Sequence, residues 1–522
     1  MLKKTALYFS VLVLLPVSLR AADADYRKQE TLPYKDIYEQ NVHSEIVNQL
    51  DLSRQSRRLF HKPLRSADVN IFDEVPDSAF YTNRHARMVL SKDQLAKGYA
   101  ETDGPDLSGN LTVIGGEING LQSTYRVKDA RGDTYLLKFD SAENAELSTA
   151  AEVIASRVYY ALGYNVPQYT VVSIPAGKLK VGEATKIKDD TGFVKTLTQE
   201  RLDEYLLFSP QSEDGSFRVS ATKIISGESK GFFSFTGRRK NDPDDLVNHR
   251  DRREIRALSV FSAWVNNTDV SESNTYDALV TENGKTFLKH YLIDFNSALG
   301  SSHRGVKPPM FGHEYAADFG ETTKAFLTLG FWEKPWQKRW REAGEKASDL
   351  PGVGYFDNRH FPEAHYKVQL PYEAFKRLTR ADGFWAAKQI MAFSDDDIRA
   401  MVSAGKISSK ESVDDIVKTL IERRNLIGQY WFSKANSLDD FKVESGKLAF
   451  KDLAVNAGFA TSRSYIVSAL NEKNKVVKTW TVNEPQIQLD SNQILEIRTS
   501  EKDPSVRVSV NADGVASVHH QD

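Results

Sequence analysis

The sequence predicts a mixed α/β chain of several domains: a strand-rich region, a helix-dominated region, and a small all-β domain at the end. Apolar residues alternate in short runs between about 111 and 139, recur at helical spacing from about 321 to 437, and alternate again beyond 445. Length agrees with this division, because 522 residues exceed what one hydrophobic core usually organises. An apolar content of 40% suits ordinary globular folding.

Lys3 and Lys4 precede an apolar run over 6–19, and the small residues Ala21, Ala22 and Ala24 follow it. This is the layout of a cleavable signal peptide, with a mature start expected near residue 22. The run spans 14 residues, against roughly 20 for a membrane-crossing helix. An exported protein is therefore expected, periplasmic or secreted, with no membrane span in its mature form. The chain has no cysteine, which excludes disulphides, thiolate nucleophiles, cysteine-held zinc and lipid attachment at cysteine. Loss of Lys3, Lys4 and Arg20 with the leader takes the formal charge from −2 to about −5. Composition thus offers no electrostatic reason for nucleic-acid binding.

Residues 23–107 mix short helical patterns with extended pieces such as DVNIFDEVPDSAFYTNR, where Pro76 interrupts any long helix, and they read as a wrap around a larger body. Strands are expected over 111–114, 123–128 and 134–139, with GGEING as a loop between the first two and DARGD as the second turn. Leu147, Ala151, Ile154, Val158 and Leu162 then fall at helical spacing, and Gly163 with Pro167 supplies the stop. A strand over 217–225, a polar loop and a helix over about 249–265 follow. The turn ENGK joins strands over 276–280 and 286–293 into a hairpin. Helices are expected over 371–392, 395–405 and 410–434. Finally YIVSAL, VVKTWTV, QILEIRT and VRVSV read as a β-sandwich-like unit.

The order of polar residues along these elements carries the chemistry. Lys138 lies on the third strand in TYLLKFD, and Glu152 follows 14 residues later on the helix, placed to pair with it. Asp269 and Asn274 stand five apart in the loop of WVNNTDVSESNTYDAL, and Asp294 closes the apolar YLI strand. Phosphoryl transfer needs a cation on the phosphates, hard oxygen ligands for a divalent metal, and a carboxylate to align the acceptor hydroxyl. Lys138 oriented by Glu152, Asn274 with Asp294, and Asp269 supply these in turn. Taken singly, each has an ordinary reading. A strand lysine is usually solvated, and a helix glutamate commonly joins a surface ion pair worth under about 1 kcal/mol. Asp269 and Asn274 also suit a turn, whereas an acid directly after buried YLI must find a partner or a metal.

This order resembles the protein-kinase-like superfamily over about residues 108–300. Within it the chain is more similar to atypical members, namely phosphoinositide kinases, HipA-type bacterial toxin kinases and CotH-type spore-coat kinases, than to eukaryotic protein kinases. DEVPDS, RRE and the late helices also resemble a group of uncharacterised exported bacterial proteins, which supplies no function. The resemblance implies a bilobal kinase-like α/β fold: signal peptide 1–22, extension 23–107, N-lobe 108–227, helical C-lobe 228–440 and β-domain 441–522. It implies ATP with Mg²⁺ or Mn²⁺, bound by Lys138 and a loop of Gly115, Gly116 and Gly120, with Ser220 and Ala221 at the adenine-contacting hinge. The acceptor is a hydroxyl on protein, lipid headgroup or sugar. Three departures stand out: no His-Arg precedes Asp269, Asn296 replaces a glycine, and the glycine spacing is irregular. They keep a second reading open, a catalytically inactive kinase-like scaffold acting as an envelope or secreted binding protein.

Other motifs are weaker. Gly227 to Gly231 match G-x-S-x-G, yet no helix is expected directly after them, as a nucleophile elbow requires. Ser403 and Lys406 match S-x-x-K where Gly405 ends a helix. Asp242, Asp244 and Asp245 lack the calcium-loop pattern and read as a solvated turn. His303 and His313 read as loop histidines, and Trp332, Trp336 and Trp340 as helix packing.

Overall fold

The alternation after residue 110 folds into one sheet. The computed structural model describes residues 28–29, 38–40, 47, 50–59, 63–119, 122–189, 191–239, 242–302, 305–342, 349–490 and 493–521. The expected signal peptide, Gly120 and His303 lie outside these residues. The strands are β1 (Leu111–Asn119), β2 (Gln122–Lys128), β3 (Thr134–Phe139), β4 (Tyr169–Pro175), β5 (Leu179–Val181), β6 (Lys186–Lys188), β7 (Val194–Thr196) and β8 (Ser216–Lys223). They run in the order β4-β8-β3-β2-β1-β6-β7, with β5 also on β1. Side chains alternate in direction along a strand. Tyr135, Leu137 and Phe139 therefore join Tyr125, Val127, Val219 and Ala221 in a core capped by Leu202 and Leu206, and Lys138 points to the other face.

That other face receives the Leu147–Leu162 helix, buried along nearly its whole length. Its N-terminus is held by Asp140, which accepts from the backbone N–H of Ser148 at 2.9 Å and of Thr149 at 3.0 Å. These are orphan donors of the first turn, so the contact both satisfies them and ties the helix to the end of β3. The helix stops at Gly163, φ 124°, where a Cβ would stand 2.3 Å from the Tyr81 ring. Only glycine meets both demands.

Below lies a helical layer built on Arg253–Val265, Arg380–Met391, Asp395–Ser403 and Lys410–Lys434. A small sheet flanks it, formed by β9 (Glu228–Gly231), β10 (Thr275–Glu282) and β11 (Lys285–Leu292) in the order β11-β10-β9. Ile154, Val158, Leu258, Phe261, Trp264, Trp385 and Met401 belong to one core that runs from the Leu147–Leu162 helix into this layer. Two short strands, β12 (Ser301–Ser302) and β13 (Gly305–Val306), pair after Asp294. The terminal strands are β14 (Leu438–Glu444), β15 (Lys447–Asp452), β16 (Tyr465–Leu470), β17 (Val476–Val482), β18 (Gln486–Gln488), β19 (Gln493–Arg498), β20 (Val506–Asn511) and β21 (Gly514–His520). They form sheets β14-β15-β18 and β17-β16-β19-β20-β21 around Leu438, Leu448, Val467, Leu495 and Val508. The architecture is thus the expected mixed α/β fold with a helical layer and a terminal all-β unit.

Several local expectations need correction. Gly115 and Gly116 lie inside β1 rather than in a loop, beside a bulge between Val113 and Gly115. A Cβ on Gly116 would meet the Thr124 carbonyl at 2.5 Å, so glycine lets β2 approach. Strands β5, β6 and β7 are three residues each, too short to show a period. The Asp242 turn is only partly solvated. Asp244 reaches exposed Lys285 at 2.9 Å, but buried Asp245 accepts from the Arg239 N–H at 2.6 Å and bonds His249 at 2.8 Å. Trp332 precedes the Pro335–Glu342 helix, because Pro335 starts that helix, so the tryptophans are not one helix face. All three are half-buried rather than core. Ser229 sits on β9 with no helix after it, and Lys406 donates to the Val171 carbonyl at 2.9 Å.

Candidate active site

Lys138 occupies the penultimate position of β3, where the strand meets the helix that Asp140 anchors. Its Nζ donates to Glu152 Oε1 at 2.7 Å and to Asp294 Oδ1 at 2.6 Å. Glu152 is fully buried, and its other oxygen accepts from Ser220 Oγ. Burial works against the lysine charge, but Asp294 and Glu152 outweigh it and raise the Lys138 pKa, so the ammonium persists. Burial also raises the Glu152 carboxyl, with Lys138 pulling it back.

Asp294 follows β11 and adopts φ 58°, a left-handed backbone uncommon for aspartate. Its N–H donates to the Tyr169 hydroxyl at 3.0 Å. The next residue, Phe295, is buried between Tyr159 and Tyr169, with ring centroids 5.0 and 5.6 Å away. The phenylalanine is thereby held in the core, while the aspartate side chain, 38% exposed, faces Lys138.

The Arg253–Val265 helix ends at Asn266, φ 52°, and delivers the loop that carries Asp269. Asn274 Nδ2 donates to the Asp269 carbonyl at 2.7 Å, closing the loop and leaving its Oδ1 outside that bond. Burial and the Asp294 charge push the Asp269 carboxyl up to about 6, against the pull of Asn274, Lys307 and Lys138. A carboxylate titrating there suits proton acceptance near neutral pH. Lys307, absent from the sequence reading, is buried beside this loop and donates to the carbonyls of Asn266 at 3.0 Å and Ser297 at 2.5 Å. Burial lowers its pKa to about 7, with Asp269 drawing it up. Nothing in HRGVKPP announces it, since the loop has no period and no motif spacing.

The structure brings Lys138, Glu152 and Asp294 into one hydrogen-bonded set; Asp269 feels the charges of Asp294 and Lys138, and the Asn274 carbonyl accepts from the Ile293 N–H at 3.0 Å, next to Asp294. It does not place Ser220 and Ala221 at a hinge. Ser220 pairs with Lys138 across β3 and β8 and serves Glu152, and Ala221 faces the upper core. The link from β8 to β9 runs through residues 224–227 instead. Gly115 and Gly116 lie on β1 of the same sheet. His313 stacks on Trp336 at 6.1 Å, and burial lowers its pKa to about 4, leaving it neutral at pH 7.

A hard divalent cation fits the donor set. Asp294 presents a half-exposed carboxylate, and Asn274 presents an amide oxygen whose nitrogen is already committed to the backbone. Mg²⁺ typically takes one or two protein oxygens and completes its shell with phosphate and water. Among the described residues no group of three or more His, Asp or Glu side chains holds a metal unaided.

No protein-family model matches the chain, and no characterised protein matches it in sequence. Among solved structures, a proinflammatory kinase from Helicobacter pylori, CtkA, is similar at 12% identity and a TM-score of 0.30, covering 60% of this chain and 92% of that one. A Golgi casein kinase is similar at 12% identity and a TM-score of 0.26, covering 69% of this chain and 93% of its own. With scores this low, the geometry of Lys138, Glu152 and Asp294 carries the functional reading.

Proposed function

We propose that the chain is an exported phosphotransferase of the kinase-like type, moving the γ-phosphoryl group of ATP to a hydroxyl acceptor with Mg²⁺ or Mn²⁺. The observation that supports it most is the Lys138 ammonium held between Glu152 and Asp294. This is how a protein keeps one cation for phosphate oxygens next to one carboxylate for metal. Asp294 and Asn274 would hold the metal, which when bound would supply positive charge to the phosphates. Lys138 binds phosphate oxygens and is kept in place by Glu152, itself fixed by Ser220. Asp269 accepts the proton of the acceptor hydroxyl as its oxygen bonds to phosphorus and the ADP oxygen leaves. Lys307 holds the loop of Asp269 and limits the rise of its pKa. In this reading the acceptor is a hydroxyl on protein, lipid headgroup or sugar.

Thermal stabilisation of the purified chain by ATP with Mg²⁺ or Mn²⁺ tests this reading. Nucleotide at one hundred times its dissociation constant adds about 2.7 kcal/mol to stability. A metal-dependent rise in melting temperature that Asp294→Ala abolishes is expected. No rise at millimolar nucleotide for a well-folded protein overturns it.

A further inference from the structure

Residues 319–342, FGETTKAFLTLGFWEKPWQKRWRE, make two helices around a corner. The Phe319–Leu327 helix is capped by Asp318, whose side chain accepts from the Glu321 N–H. It ends where Leu329 takes φ 51° and Gly330 φ 85°, and the Pro335–Glu342 helix follows. At this corner Phe326, Leu327, Leu329 and Phe331 are 77%, 74%, 85% and 91% exposed. Four large apolar side chains presented together to water, one of them on left-handed backbone, are costly to a fold that leaves them there.

The surroundings are amphipathic in a definite order. Behind the tip, Trp332 Nε1 donates to Glu321 at 2.8 Å, and the indole N–H groups of Trp336 and Trp340 reach Glu314 and Tyr355. Each ring is half-buried, with one polar edge anchored in protein. Lys324, Lys334 and Arg341 are paired with Glu321, Glu314 and Glu333. Lys338 and Arg339 are exposed and enter none of the ion pairs among the described residues. With Glu342 counted, the segment carries five basic and three acidic side chains, a formal excess of positive charge next to the apolar tip in sequence, on a chain whose formal charge is −2. No helix among the described residues is long and apolar enough to cross a membrane.

We propose that this helical corner docks on an anionic phospholipid surface, with Phe326, Leu327, Leu329 and Phe331 in the acyl boundary and Lys338 and Arg339 on lipid phosphates. Charge complementarity selects this occupant. Anionic headgroups lie directly above an acyl layer, the same order of cation and apolar surface that the corner presents, and tryptophan favours the level between them. The docking is independent of phosphotransfer.

Sedimentation of the full chain with vesicles tests it. The protein is expected to sediment with phosphatidylcholine vesicles containing about one third phosphatidylglycerol, and about ten-fold less with phosphatidylcholine alone. Phe326→Ser with Phe331→Ser is expected to weaken binding at least about ten-fold without lowering the melting temperature, since both side chains face water. Lys338→Glu with Arg339→Glu removes the preference for anionic lipid. Three results overturn the proposal: a parent protein that stays in solution with both vesicles, a double-serine variant that binds like the parent, or a concentration-dependent dimer, lost in that variant, without vesicle binding.

Discussion

Lys138 Nζ and Asp294 Oδ1 stand 2.6 Å apart although 156 residues separate them in the chain. The pair joins the upper sheet to the strand end of the lower layer, and Glu152 completes it from the buried side. Removing Lys138 leaves Glu152 buried without its cation, which costs about 3–5 kcal/mol. Lys138→Met is therefore expected to lose phosphotransfer by at least about 100-fold and to melt earlier. Adding Glu152→Gln to Lys138→Met should recover much of the stability but none of the activity. Recovery of both would remove Lys138 from the phosphate site.

Under the proposed function, Asp269 and Lys307 should make phosphotransfer pH-dependent. With its carboxyl pushed up to about 6, Asp269 gains its basic form as pH rises through that value, so the rate should climb between about pH 5 and 7. Asp269→Asn should abolish the climb along with most of the rate. The stability signs are opposite for the two groups. A carboxyl raised on folding loses stability as pH rises from its unfolded value to about 6. A lysine lowered to about 7 gains stability as pH rises from there toward its unfolded value. Lys307→Met should flatten the second slope, read as melting temperature against pH, and shift the midpoint of the rate profile upward.

Asp382 accepts from Arg253 Nε and Arg256 Nη1, each at 3.0 Å, and all three side chains are fully buried. It also closes the capping box of the Arg380–Met391 helix with Thr379. Asp382→Ala strips one anion from two buried guanidinium groups and a cap from the helix. A loss of about 3–5 kcal/mol is expected, seen as a lower denaturant midpoint. An unchanged midpoint would mean the arginines find other partners.

Asp73 gathers three parts of the molecule. It pairs with Arg65 at 2.8 Å, with Arg253 of the helical layer at 2.7 Å and with His520 of β21 at 3.0 Å. Opposing burial, Arg253 and His520 hold its carboxyl well below the usual range. Its contribution is complete above the unfolded carboxylate pKa and disappears as pH falls through the folded one. Asp73→Ala should detach the terminal β-unit locally, so limited proteolysis is expected to cut near residue 436 faster than in the parent. Equal cutting would place the anchoring elsewhere, such as at Asn436, which donates to the Ile497 carbonyl at 2.9 Å.

Much of this architecture is legible in residue order. Alternation around Lys138, the helical period that carries Glu152, the hairpin at ENGK and the apolar run before Asp294 are local patterns, set by contacts within a few residues. They are enough to predict the strand of Lys138, the helix of Glu152, the loop of Asp269 and the strand end at Asp294, and the late β-unit as well, but not the strand positions of Gly115 and Gly116 or the places of Ser220 and Ala221 away from a hinge. Tertiary structure alone decides the rest. Ser220 serves Glu152 because of the register between β3 and β8. Lys307 comes beside the Asp269 loop from an aperiodic segment and acts on Asp269 through its charge, and Trp332 falls outside the helix that Pro335 begins. The two carboxylates on Lys138 come from elements 14 and 156 residues away. Secondary structure follows from short-range sterics and periodic burial. The charge and protonation of a buried site sum over groups brought together only when the chain has folded.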